Sequence, residues 1–121
     1  MRVIYVHFDA KQESVAVLPA AEVVFSGDEV VWEVSATGAS ITQVKLEVKG
    51  TTKFSFGGSK KAIHSQKLQS RRTRIRGVAP HVNKGATARY EYTVRGIRGK
   101  GKPPIELDPV IIIVPPEVTV P

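Results

Sequence analysis

The sequence predicts an all-β protein folded as a single two-sheet β-sandwich. Short runs of β-branched and aromatic residues recur along the chain, and turn-forming residues interrupt them at intervals of roughly ten positions. The alternation is clearest where Ala88, Tyr90, Tyr92 and Val94 are separated by polar residues. No segment shows convincing helical periodicity. An antiparallel β-sandwich or barrel is the architecture that this pattern favours.

The first half of the chain contains five predicted strands, at residues 2–8, 13–19, 21–25, 30–35 and 41–50. The second and third strands are expected to meet at a bend near Pro19. Residues 26–29 form a predicted turn, because Gly and Asp tolerate the backbone angles of a tight reversal. In the fifth strand, Val44, Leu46 and Val48 are expected to point inward.

The second half contains four more predicted strands, at residues 53–56, 73–76, 88–95 and 109–114. We expect a loop or one weak helical turn at 62–69 and a flexible Gly-, Lys- and Pro-rich loop at 96–104. The uninterrupted apolar run 110–114 is typical of a strand that is buried on both faces or central in its sheet. Strand pairing should end at Pro115 and Pro116, because proline cannot donate a ladder hydrogen bond.

A chain of 121 residues, 41% of them hydrophobic, is the size of one domain with its own core. We expect one domain over 1–114 with a basic, irregular insertion at about 51–77, followed by a Pro-rich tail at 115–121. No apolar run is long enough to span a bilayer. The protein is expected to be cytoplasmic if Met1 is the native start, and periplasmic or secreted if a leader was removed.

Charge is distributed unevenly along the chain, whose formal net charge is +7. Residues 1–50 carry four basic and seven acidic groups (−3), residues 51–102 carry fourteen and one (+13), and residues 103–121 carry none and three (−3). Such asymmetry concerns partners and solubility rather than fold.

Three segments together resemble a known family. Residues 23–34 hold a strand, a Gly-Asp turn and a strand with Trp32; residues 85–96 hold a glycine and a strand with two tyrosines; residues 109–114 form a closing strand. In this order the chain resembles the cupredoxin-like fold of plastocyanins, azurins and their relatives. It is most similar to copper-less bacterial members that read Tyr-x-Tyr-x-Val, a loop, Leu-Asp-Pro and an aliphatic strand, here Tyr90, Tyr92, Val94, Leu107, Asp108 and Pro109. The resemblance implies a Greek-key sandwich; an immunoglobulin-like sandwich is the alternative.

The chemistry of that family needs a thiolate, two imidazoles and a weak axial ligand at one end of the sandwich. Val94 occupies the position of the cysteine, the chain has no cysteine at all, and the loop after the penultimate strand has neither histidine nor methionine. Blue-copper electron transfer is therefore excluded, and no cofactor is expected. A weaker hypothesis, a metal carrier using His7, His64 or His81, lacks any ligand-like spacing.

No motif indicates an enzyme. The glycines and lysines of 56–62 lack the phosphate-loop spacing, and those of 96–102 lack the strand–helix context of a dinucleotide site. No serine lies in a nucleophile elbow. We expect no enzymatic activity.

The basic segment is the one feature that indicates a function. The expected contact residues for a polyanion or acidic protein are Lys60, Lys61, Arg71, Arg72, Arg74, Arg76, Arg98, Lys100 and Lys102. Surfaces of this kind bind phosphates through counterion release, and arginine adds bidentate contacts. The first hypothesis is a non-enzymatic, metal-free binding module whose partner is nucleic acid, another polyanion or an acidic protein. The second is a structural or accessory sandwich domain of unknown function whose basic face only aids solubility or assembly.

Overall fold

A computed structural model describes residues 1–50, 54–57 and 63–115. These residues form strands and no helix: β1 (Arg2–Asp9), β2 (Ser14–Leu18), β3 (Ala21–Phe25), β4 (Glu29–Thr37), β5 (Ile41–Val48), β6 (Ser55–Phe56), β7 (Ile63–Lys67), β8 (Arg72–Val78), β9 (Ala88–Arg98), β10 (Ile105–Leu107) and β11 (Val110–Val114). Within this part of the chain, no helix has the length and hydropathy needed to cross a membrane.

The strands form two sheets that pack as a sandwich, which confirms the predicted fold class. The first sheet has the order β2-β1-β4-β8-β6 and the second β3-β11-β9-β5-β7, with β10 paired to β9. The chain changes sheet between β2 and β3, at the bend expected near Pro19. The expectation of purely antiparallel sheets was wrong, because β1 runs parallel to β4 and β3 runs parallel to β11.

An aromatic cluster fills the core between the sheets. Trp32 is fully buried, and its ring centroid lies 6.1 Å from that of Phe54 and 5.7 Å from those of Phe56 and Tyr92. Both phenylalanines come from the short segment around β6, whose orientation is not predicted by any local pattern. Such clusters contribute both buried area and favourable ring geometry to stability.

Several predictions about orientation are confirmed by burial. Val44, Leu46 and Val48 of β5 point inward, as expected. The apolar strand β11 lies between β3 and β9, so it is central in its sheet. Pairing ends at Val114, although most of the predicted tail, residues 116–121, lies outside the described part of the chain.

Two local expectations were wrong. Residues 62–69 were expected to form a loop or helical turn, but Ile63–Lys67 pairs with β5 as strand β7 at the edge of the second sheet. Strand β9 does not end at Gly96 but continues to Arg98, and β10 follows within the expected loop. Val94 is consequently a fully buried residue inside β9 rather than the residue that closes it.

Four connections lie at the same end of the sandwich: β1–β2 (10–13), β4–β5 (38–40), β7–β8 (68–71) and β9–β10 (99–104). The register of neighbouring strands requires this, because the start of β5 pairs with the end of β9 and the end of β4 pairs with the start of β8. We call this the loop end. It brings the basic segment of the sequence next to the glycine-rich connection at 99–104.

Candidate polyanion-binding surface

Seven of the nine predicted contact residues belong to the described part of the chain, and they lie in two places. Lys60 and Lys61 lie outside the described residues. Strand β8 carries Arg72, Arg74 and Arg76, and the turn before it carries Arg71. The loop end holds Arg98, Lys100 and Lys102.

Alternation along β8 sets the direction of its arginines. Ile75 and Gly77 are buried on the face that packs on the core, where Gly77 lies against the aromatic cluster. The arginines that alternate with these two residues therefore point to the outer face of the first sheet. Across the sheet, Arg72 is in register with Ser35 and Arg74 with Glu33. Arg72, Arg74 and Arg76 therefore form a row of exposed side chains on this face.

Three of the predicted residues form ion pairs within the fold: Arg74 with Glu33, Arg76 with Glu29 and Arg98 with Glu13. Arg76 lies 3.8 Å from Glu29 in an exposed ion pair and lines a separate hollow beside Gly57. The Arg98 side chain is only 6% exposed; it donates from Nε and Nη2 to the carbonyl oxygen of Pro103 and from Nη1 to Glu13, 3.0 Å away. Arg98 thus ties two connections of the loop end together.

Four adjoining hollows are lined by Arg71, Arg72, Arg74, Lys100 and Lys102. A hollow of about 310 Å³ at 99–104 shares Ala39 and Thr42 with one of about 630 Å³ at the β7–β8 turn. The second shares Lys67 with a third of about 420 Å³, and the third shares Arg72 and Arg74 with a fourth of about 390 Å³ on the outer face of the first sheet.

We define the basic track as the cationic side chains that line these hollows: Lys67, Arg71, Arg72, Arg74, Lys100 and Lys102. All six are exposed. Glu33, which forms an ion pair with Arg74, is the one carboxylate among the residues lining the hollows. The track therefore carries a strong excess of positive charge along a series of hollows that share lining residues.

Part of this track lies on residues with unusual backbone angles. Four described residues other than glycine have positive φ, and all lie in connections of the loop end: Glu13, Ser70, Arg71 and Lys100. Such angles are uncommon outside glycine and cost free energy, and they cluster at functional sites. At the β7–β8 reversal, where Asn-Gly would be the relaxed choice, the chain has Ser70 and Arg71.

Two residues of this surface, Lys67 and Tyr5, are not among the contact residues that the sequence predicts. Lys67 belongs to the basic run, but it was placed in a loop or helical turn; in an alternating strand it falls on the same face as Ser65. Tyr5 lines the fourth hollow and is 60% exposed on β1. The alternation of β1 could have revealed it, because polar His7 marks the outward face that Tyr5 shares.

The three histidines lie in different surroundings. His7 Nδ1 is 2.7 Å from the Ser35 hydroxyl on the outer face of the first sheet. The His64 ring packs against Phe56 at a centroid distance of 5.8 Å, and His81 is exposed in the connection before β9. Among the described residues, there is no group of three or more His, Cys, Asp or Glu side chains that could hold a metal ion.

Comparisons with protein-family models, with curated proteins and with solved structures give no match to this chain. The geometry of the basic track is therefore the basis on which a function can be argued.

Proposed function

We propose that this chain is a non-enzymatic, metal-free binding module of the cupredoxin-like type, and that it binds an acidic partner along the basic track. The observation that carries the proposal is the concentration of positive charge in the track, in which six cationic side chains and one carboxylate line four adjoining hollows. A depression lined by one sign of charge concentrates ligands of the opposite sign and raises their association rate.

The availability of these cations supports the proposal. Of the six track residues, Arg74 alone takes part in an ion pair among the described residues. The cations that do pair elsewhere include Lys49, Arg76, Arg89, Arg95 and Arg98. The acidic residues of the fold thus neutralise basic side chains beside the track more than those within it.

The location of the track supports the cupredoxin-like part of the proposal. The 310 Å³ hollow lies between connections 38–40 and 99–104, which follow the Trp32 strand and the penultimate long strand. The loop after the penultimate strand is where the resemblance implies a histidine and a methionine. In this chain, Lys100 and Lys102 of that loop line the hollow.

The second candidate is a structural or accessory domain whose basic face aids solubility or assembly. It is favoured by the exposed ion pairs that Arg74 and Arg76 form with Glu33 and Glu29, which reduce the charge of β8 itself. It does not account for the concentration of cations around the hollows of the loop end, and we therefore place it second.

The test compares two triple variants with the wild-type protein. The track variant is Lys67→Ala, Arg71→Ala and Lys100→Ala; the control is Arg2→Ala, Lys84→Ala and Arg89→Ala, three exposed cations away from the track. Each removes three positive charges and lowers the net charge from +7 to +4. The measurement is binding of labelled single-stranded oligonucleotide, heparin and inorganic polyphosphate at about 50 and 200 mM NaCl.

We expect binding of the wild-type protein to fall steeply with salt. The track variant should bind at least roughly tenfold more weakly at low salt, and for the oligonucleotide its log–log salt slope should be shallower by about 2, since each phosphate contact on a single strand contributes about 0.7. The control should retain most of the affinity. Equal losses in both variants, or no wild-type binding to any of the three probes, would contradict the proposal.

A further inference from the structure

We propose that the ligand of the basic track is a single-stranded nucleic acid, with one unpaired base stacked on Tyr5. This inference rests on the proposed function and names its ligand. It starts from the outer face of the first sheet, where an aromatic ring lies in the same hollow as two track arginines.

Tyr5 is an unusual residue for an open sheet face. Its side chain is 60% exposed, and the neighbouring strand places Leu18, 66% exposed, directly opposite it. The remaining aromatic rings of the first sheet, Phe8, Trp32 and Phe56, are fully buried. Tyr5 therefore offers a ring face and an apolar border to a ligand, which is the kind of platform on which bases stack regardless of sequence.

Strand register places the arginines at a suitable distance from this ring. Tyr5 pairs with Glu33, which pairs with Arg74, so the backbones of Tyr5 and Arg74 are two strand spacings apart, about 10 Å. In the next row, His7 and Ser35 lead to Arg72. A base on Tyr5 would thus leave its phosphates within reach of both arginine side chains, and the rest of the track continues toward the loop end.

Glu33 distinguishes a nucleic acid from other polyanions. Its carboxylate forms an ion pair with Arg74 in the row that runs from Tyr5 to Arg74, so this row carries less positive charge than the rest of the track and suits a base better than a further anionic group. A carboxylate can accept a hydrogen bond from the exocyclic amino group of cytosine or adenine. The surface therefore combines a base-stacking position, an acceptor for a base edge and flanking phosphate contacts.

A duplex does not fit this arrangement. Its bases are stacked within the helix, and groove reading is done by a helix or ribbon that protrudes from the protein. Here the aromatic ring lies on the face of a sheet between β2 and β4. Stacking on such a surface requires a base that is already unpaired.

The test uses Tyr5→Ala and Tyr5→Phe with five probes: oligo(dC), oligo(dT), an abasic oligomer of equal length, heparin and polyglutamate. We expect the wild-type protein to bind oligo(dC) most tightly and the abasic strand about tenfold more weakly. Tyr5→Ala should lose about tenfold in affinity for oligo(dC), in line with one lost stacking contact. It should leave abasic and heparin binding unchanged, and Tyr5→Phe should behave as the wild type does.

Other outcomes would overturn the inference without overturning the proposed function. If abasic and base-containing strands bind equally and Tyr5→Ala has no effect, the ligand is a polyanion recognised by charge alone. If polyglutamate binds more tightly than any oligonucleotide, the ligand is an acidic protein. Because Tyr5 is exposed, all variants are expected to fold, and a thermal melt of each provides the check.

Discussion

At the scale of single residues, the Tyr92 hydroxyl is a buried polar group without a normal hydrogen bond. Neither it nor the Trp32 indole Nε1 has a hydrogen-bond partner among the described residues. Burial raises the pKa of Tyr92 to about 12, and the nearby Trp32 indole acts in the opposite direction. Burial is the dominant effect on the pKa of Tyr92, because the two rings meet edge to face without a hydrogen bond between them.

The raised pKa predicts a specific alkaline loss of stability. Well below pH 10 the Tyr92 hydroxyl is neutral in both the folded and the unfolded state. Between about pH 10 and 12 the unfolded state ionises first, so the free energy of unfolding falls with rising pH, by up to about 3 kcal/mol for two pKa units. In urea titrations, the difference between wild type and Tyr92→Phe should grow over this range.

Tyr5→Phe is the matched control, because it removes the hydroxyl of an exposed tyrosine. It should follow the alkaline dependence of the wild type. At pH 7, Tyr92→Phe should be at least as stable as the wild type, because an unsatisfied buried hydroxyl is removed. Parallel alkaline curves for wild type and Tyr92→Phe would show that burial does not hold this proton.

At the scale of elements, the two sheets approach closely where β9 passes beneath β1. A Cβ added at Gly96 would lie 2.7 and 2.8 Å from ring carbons of Phe8, whose side chain is fully buried. Gly96→Ala should therefore force the ring or the strand to move, and overpacking of this kind costs about 1–3 kcal/mol. Gly99→Ala is the control, because a Cβ there meets nothing within 4 Å. Equal thermal melting of the two variants would refute the predicted steric conflict.

The same glycine shows why local sequence patterns mark some strand ends poorly. The alternation predicts a strand that ends before Gly96, but β9 continues through this residue to Arg98. Glycine interrupts the pattern because the Phe8 ring opposite it leaves no room for a side chain. Strand β7 was missed for another reason: four of its five residues are exposed, so the strand has no inward apolar period to detect. Strands with one buried face, such as β5, were predicted with their correct orientation because alternation reports burial.

The candidate surface was accessible from sequence in part for a similar reason. Composition revealed the basic segment, which contains Arg71, Arg72 and Arg74 of the track. Which cations are engaged by carboxylates depends on contacts between distant segments, such as Arg98 with Glu13. Those contacts follow from topology, which no local pattern contains, and the same holds for the position of Tyr5 relative to β8.

At the scale of the whole molecule, folding redistributes the charge that is segregated along the chain. Three ion pairs join the acidic first fifty residues to the basic middle: Arg74–Glu33, Arg76–Glu29 and Arg98–Glu13. Among the described basic residues of the middle segment that form no ion pair, most lie along the basic track, where their mutual repulsion opposes folding. A bound polyanion should relieve that repulsion and stabilise the native state.

We therefore predict that inorganic polyphosphate raises the melting temperature of the wild-type protein. At a free concentration one hundred times the dissociation constant, linkage gives about 2.7 kcal/mol. For a chain of this length that corresponds to roughly 10 °C. The measurement is a thermal melt at fixed ionic strength, with sodium chloride replacing polyphosphate in the reference.

The Arg2, Lys84 and Arg89 control should show a similar rise, whereas the Lys67, Arg71 and Lys100 variant should show little. Equal rises in the melting temperatures of both triple variants would mean that stabilisation by polyphosphate depends on net charge and not on the arrangement of the track.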